Sequence, residues 1–177
     1  MDQIYSKVIK IYWKNPSYPH VKVNTYGSFT AHIVGIGGVF RDYKGRCIMF
    51  FKAPIIIEDA LEAEKAALYW AIKMAVINRW TQIQAEVDSS MLIEYMTGIV
   101  VPPWHIQQRI IKIKHLTKEI QINYCFTYRE GNKPANYLAI EGVESQRQTV
   151  ATNPTQILAD MLKGDKLQIP YLSITKS

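Results

Sequence analysis

Two carboxylates stand where ordinary surface placement explains them poorly. Glu64 interrupts the stripe Leu61-Glu64-Leu68-Ala71-Ala75, whose three- and four-residue steps put it on the helix face turned toward the rest of the fold. A carboxylate there must find a partner or lie beside a cleft, because burying it unpaired is costly. Asp88 follows the alternating run Gln82-Ile83-Gln84-Ala85-Glu86-Val87, and α/β sheets collect ligands at the ends of such strands. Charged oxygens are the donors that a hard cation such as Mg²⁺ takes. Both residues have plainer readings too. Glu64 fits a helix edge from which it reaches solvent, and Asp88, before Ser89-Ser90 and an apolar run, fits a helix N-cap. A third feature is basic. The segment from His105 to Lys118 carries Arg109, Lys112, Lys114 and Lys118 against few acids, as a phosphate-facing surface would, or equally a solvated helix face.

The elements that must position these groups follow from the pattern. Val21 to Tyr26 alternates as a half-buried strand and is expected to end at Gly27-Ser28. Val34 to Phe40 is a glycine-rich second strand, Asp42 to Gly45 a turn, and Arg46 to Lys52 a third strand. The period then becomes helical. Glu58-Asp59-Ala60 opens a helix that reaches about Asn78, and Gln82 to Val87 is a fourth strand. A short helix, Met91 to Met96, stops at Gly98, and Pro102-Pro103 starts another in which Ile106, Ile110, Ile113 and Ile120 keep helical spacing. Gln121 to Arg129 is a fifth strand, followed by a helix from Lys133 to Gly142. Residues 144–152 read as a linker, then a helix from Pro154 to Leu162 and an extended end. Antiparallel strands first and βαβ units second imply a mixed α/β sheet covered by helices.

The chain has 177 residues, enough for one domain with a core of its own and no disulfide or metal staple. Its cysteines, Cys47 and Cys125, lie in separate strands and read as buried thiols of a reducing compartment. No apolar run reaches the length of a secretory signal or a membrane span, so the expectation is the nucleus or cytoplasm and no membrane. The formal charge of +6 permits a polyanionic partner without requiring one.

Five segments, in this order, resemble the plant RNase H-like domains of the retrotransposon-derived, reverse-transcriptase-like family. They are Val21-Lys22-Val23-Asn24-Thr25-Tyr26-Gly27-Ser28, Gly37-Gly38-Val39-Phe40-Arg41-Asp42, Glu62-Ala63-Glu64-Lys65-Ala66-Ala67-Leu68, Glu86-Val87-Asp88-Ser89, and Tyr128-Arg129-Glu130-Gly131-Asn132-Lys133-Pro134-Ala135-Asn136-Tyr137-Leu138-Ala139. The resemblance implies a five-stranded mixed sheet in the order 3-2-1-4-5 with helices on both faces, spanning residues 21–143. Residues 1–20 are then an N-terminal extension, and 144–177 a linker and helical tail. It also implies four carboxylates that hold two Mg²⁺ ions and cut RNA paired to DNA, a geometry in which several negative charges must converge.

Carried over by position, Glu64 and Asp88 are the second and third of these carboxylates. Tyr26 stands where the first belongs, and Asn136 where the fourth belongs. Tyrosine is neutral at working pH and asparagine brings no charge. The expectation is therefore a pseudoenzyme that binds RNA–DNA hybrid or duplex without cleaving it. No cofactor is expected, with Mg²⁺ or Mn²⁺ relevant only to residual activity at Glu64 and Asp88. Gly27, Ser28, Ser89, Arg129 and Asn132 fall in matching segments and are the expected nucleic-acid contacts. A protein-interaction module reusing the fold, and a residual nuclease, are the alternatives.

Overall fold

The computed structural model describes residues 6–30, 33–56 and 60–176. In chain order its strands and helices are β1 (Ser6–Ile11), β2 (Val21–Thr30), β3 (Ile33–Arg41), β4 (Cys47–Ile55), α1 (Ala60–Ile77), β5 (Gln82–Val87) and α2 (Ser90–Thr97). There follow α3 (Trp104–Leu116), β6 (Gln121–Phe126), α4 (Lys133–Ser145), β7 (Thr149–Ala151), α5 (Gln156–Lys166) and β8 (Tyr171–Lys176). The acids Glu58 and Asp59, expected to open α1, lie outside the described residues.

The main sheet runs β6-β5-β2-β3-β4-β7. β2 pairs antiparallel with β3, and β3 with β4, whereas β2–β5 and β5–β6 are parallel. Its five central strands keep the expected order, counting from β2. The strand count is larger than expected because the tail also pairs. Thr149-Val150-Ala151, in the stretch read as linker, lies against Lys52, Phe51 and Phe50 and covers the open edge of β4. The N-terminal extension and the extended end likewise meet, β1 pairing with β8 as a separate two-stranded ribbon.

Alternation along the strands fills both faces. On one, Val23, Ala85 and Val87 meet Leu68, Ala71 and Ile72 of α1 and Ile106, Ile110 and Ile113 of α3. On the other, Val39 and Phe50 meet Leu138 of α4 and Leu158 and Leu162 of α5. Among the described residues no helix is long and apolar enough to cross a membrane.

Gly27 does not end its strand. β2 continues to Thr30, which pairs with Ile33. The glycine is there because α1 lies directly on it: a Cβ would stand 2.4 Å from the carbonyl carbon of Ala63 and 2.6 Å from the amide nitrogen of Glu64. That contact brings Glu64 down beside the middle of β2. A second glycine acts from the opposite side. Gly37 faces Tyr26 across β2 and β3, and a Cβ on it would meet the Ala139 nitrogen at 2.5 Å and the Ala135 oxygen at 2.6 Å. α4 therefore also closes on Tyr26.

Candidate functional site

Four side chains from four elements converge at the end of the parallel strands. Tyr26 comes from the centre of β2, Glu64 from the second turn of α1, Asp88 from the residue after β5, and Arg129 from a 3-10 turn between β6 and α4. The phenol is only 7% exposed and its ring packs on Ala135 and Ala139 of α4. The Arg129 guanidinium carbon lies 5.6 Å from the centre of the Tyr26 ring. Its Nε lies 3.7 Å from an Asp88 carboxylate oxygen.

The local sequence explains the placement of Asp88. Ser89, not Asp88, is the N-cap of α2: its hydroxyl accepts from the Leu92 amide at 3.2 Å. The Asp88 carboxylate is thereby left to face Arg129. Ser89 also hydrogen-bonds the Glu64 side chain, tying α1 to the same corner. Glu64 is half-buried rather than reaching free solvent.

Electrostatics follow from crowding. Burial, with the Asp88 charge added, pushes the Glu64 carboxyl up to about 7 against the opposing pull of Ser89 and Arg129. Burial likewise raises Asp88, with Arg129 pulling the other way. The Tyr26 phenol is raised above 10.0 by burial first, with Asp88 and Glu64 adding to it and Arg129 opposing. Near neutral pH Glu64 is therefore about half protonated, and it stands beside Asp88, a neutral phenol and a guanidinium.

The profile of the reverse transcriptase-like family matches residues 24–142. This chain belongs to that family. The reverse transcriptase-like match covers β2 through most of α4 and leaves β1, β7, α5 and β8 outside it. Solved structures agree on the fold. RNase H1 of Halobacterium salinarum superposes with a TM-score of 0.68 at 18% identity, covering 71% of this chain and 98% of its own. LC11-RNase H1, solved in complex with an RNA/DNA hybrid, gives 0.66 at 22% identity, covering 71% and 97%. The foamy viral protease-reverse transcriptase in complex with dsDNA gives 0.52 at 21%, covering 71% and 94%. No curated protein matches the chain closely enough to count as a relative.

The RNase H-like resemblance implies a pair of divalent metal ions at this corner. Among the described residues no three His, Cys, Asp or Glu side chains converge to hold a metal. Where the resemblance places the first carboxylate stands the Tyr26 ring, under Arg129, and Asp88 already faces that guanidinium. The residues present do not fit two divalent ions.

Of the expected contacts in this reverse transcriptase-like chain, Arg129 is exposed, and Ser28 and Ser89 are half-buried. Gly27 is buried under α1. Asn132 lies beneath the surface of the site. It is fully buried, its amide donates to the Thr25 carbonyl at 2.8 Å, and it pins the 3-10 turn to β2. Asn136 is half-buried on the first turn of α4, next to the Ala135 that packs on Tyr26. The basic helix is less free than its sequence implies, since Arg109 pairs with Glu62 at 2.8 Å. Lys112, Lys114 and Lys118 are exposed. Arg129 over Tyr26 was not foreseeable as a pair, since more than 100 residues separate them in the chain.

Proposed function

We propose that this protein binds an RNA–DNA hybrid or duplex at the Tyr26–Arg129 corner and does not cut it. The observation that carries the proposal is the ring of Tyr26, held between α4 and Arg129 at the position of the missing first carboxylate. In a metal-using relative the acids are bridged to phosphate by cations. Without the cations, four carboxylates would repel a phosphate by about 4 kcal/mol per charge at 4 Å and an effective dielectric near 20. Replacing two of them by Tyr26 and Asn136, and setting Arg129 against Asp88, lets a phosphodiester approach without metal. The likeness to a relative solved with an RNA/DNA hybrid, and to one solved with dsDNA, supports the class of ligand.

The test is gel-shift titration of a blunt RNA–DNA hybrid, run beside a cleavage assay with Mg²⁺ and with Mn²⁺. The expected result is salt-dependent binding with the strands intact in both ions. Cleavage that Glu64→Gln abolishes would instead establish a residual nuclease. No affinity beyond that of an unrelated protein of equal charge would favour a protein-interaction module, a reading supported by the exposed apolar turn carrying Ile99, Val101 and Trp104, the last 82% exposed.

A further inference from the structure

The ribbon β1–β8 lies outside the family match, yet its strand β1 walls a groove of about 620 Å³ against β5 and β6. That volume is within the range of about 300–1,000 Å³ usual for ligand sites. Along one side run Lys10, Tyr12 and Lys14; along the other, Phe126 and Tyr128. We infer that this groove is a site for a single-stranded nucleic-acid segment, separate from the hybrid-binding corner and leading into it.

Three observations carry the inference. First, the groove presents aromatic faces to solvent: Tyr12 is 43%, Phe126 48% and Tyr128 39% exposed. Phe126 and Tyr128 meet edge to face with centroids 5.2 Å apart, which fixes both rings and lowers the cost of presenting them. Bases stack on such rings whatever their identity. Second, its charge is positive. Lys10 and Lys14 are exposed, and among the described residues neither has an ion-pair partner. The one acid in the wall, Glu86, is held by Lys22 at 3.0 Å and by the Asn24 amide at 2.8 Å, so it presents little net charge to a phosphate. Third, the groove is lined by Tyr128, the residue before Arg129. A strand leaving a duplex at the Tyr26–Arg129 corner would enter it directly.

The chemistry of the walls discriminates among occupants. An acidic peptide would use the lysines but not three exposed rings flanking them, whereas a sugar–phosphate chain with planar bases uses both. The spacing is invisible in the sequence, because Lys10, Tyr12 and Lys14 lie more than 100 residues from Phe126 and Tyr128. The fold brings them to one groove.

The inference rests on the hybrid-binding reading only for its last step, the continuity between the two sites, and the experiment separates them. Fluorescence anisotropy is measured with a labelled oligouridine ten-mer and with a blunt RNA–DNA hybrid. Wild-type protein is expected to bind the ten-mer. Phe126→Ala should weaken that binding by roughly fivefold to a hundredfold, the range for loss of one stacked base. Lys10→Gln with Lys14→Gln should lower the slope of log affinity on log salt by about 1.4, near 0.7 per phosphate contact. Both variants should bind the blunt hybrid as wild type does, and an unchanged melting temperature confirms that they fold. Absence of ten-mer binding in the wild type, or ten-mer binding indifferent to both variants, overturns the inference. Ten-mer binding that responds to the variants while the blunt hybrid is not bound at all sustains the groove and removes the hybrid reading instead.

Discussion

The Arg41 guanidinium on β3 donates to the Asp165 carboxylate on α5 at 2.6 Å, and both side chains are withdrawn from water. The pair is the centre of a buried polar cluster. Asn24 accepts from Arg41 at 2.9 Å and from the Trp13 indole at 3.0 Å, while Arg41 lies 3.6 Å from the centre of a Trp13 ring. The Tyr171 hydroxyl donates to the second Asp165 oxygen at 2.6 Å. Sheet, N-terminal segment and C-terminal tail are thus joined through one ion pair. The ribbon that walls the groove is held in place by it.

Breaking this pair from one side leaves the other charge buried and alone. Asp165→Ala is expected to lower unfolding stability by about 3–5 kcal/mol, as is usual for such a loss. Urea denaturation followed by tryptophan fluorescence reads it directly. Replacing both partners, Arg41→Met with Asp165→Leu, should recover much of that loss, because no unpaired charge then remains. A wild-type midpoint for Asp165→Ala would mean that the tail is only loosely docked.

Much of this architecture was legible because it is local. Periodicity gave the five central strands, the helices between them and the glycine-marked turns, since each rests on residues near in sequence. Glu64 and Asp88 were legible as a pair for the same reason, one by its place in a helical stripe and the other by its place after a strand. What escaped is what depends on distant partners. Thr149-Val150-Ala151 forms a strand only because β4 offers an edge, and β1 only because β8 returns to it. Gly27 was misread as a strand end because a glycine that admits a helix and one that admits a turn look alike in sequence. The inner contact of Asn132 escaped for a parallel reason: its amide nitrogen donates to the Thr25 carbonyl, which no motif announces.

The raised carboxyl of Glu64 gives a pH signature. Its pKa moves from the ordinary 4.5 to about 7 in the folded state, so the folded protein holds this proton after the unfolded chain has released it. The contribution is fully present below about pH 4.5 and is lost as pH rises toward 7. Glu64→Gln, which mimics the protonated form, is expected to flatten the dependence over that interval and to be more stable than wild type at its upper end, by on the order of 2 kcal/mol once solvent screening is allowed for. Thermal melts of both proteins between pH 4.5 and 7.5 measure the difference. Parallel curves would mean that Glu64 reaches solvent freely.

The final prediction concerns the two departures from the metal-binding pattern. Tyr26→Asp removes a buried ring that packs on Ala135 and Ala139 and puts a third carboxylate beside Glu64 and Asp88. Without metal the variant should be less stable by about 3 kcal/mol, from lost packing and from repulsion. Adding Asn136→Asp increases the negative charge at the corner again. The double variant should therefore be strongly stabilised by Mg²⁺, by about 2.7 kcal/mol when the ion is present at a hundredfold its dissociation constant. Wild-type protein, with a phenol in the first carboxylate's position and Arg129 against Asp88, should melt at the same temperature with and without the ion. Differential scanning calorimetry with and without 10 mM Mg²⁺ (about a hundredfold an affinity of 0.1 mM) distinguishes the two proteins without any reference to cleavage. If the double variant ignores Mg²⁺, the corner has lost more than two ligands, and Arg129 is then the residue to remove next, since it brings a positive charge against Asp88.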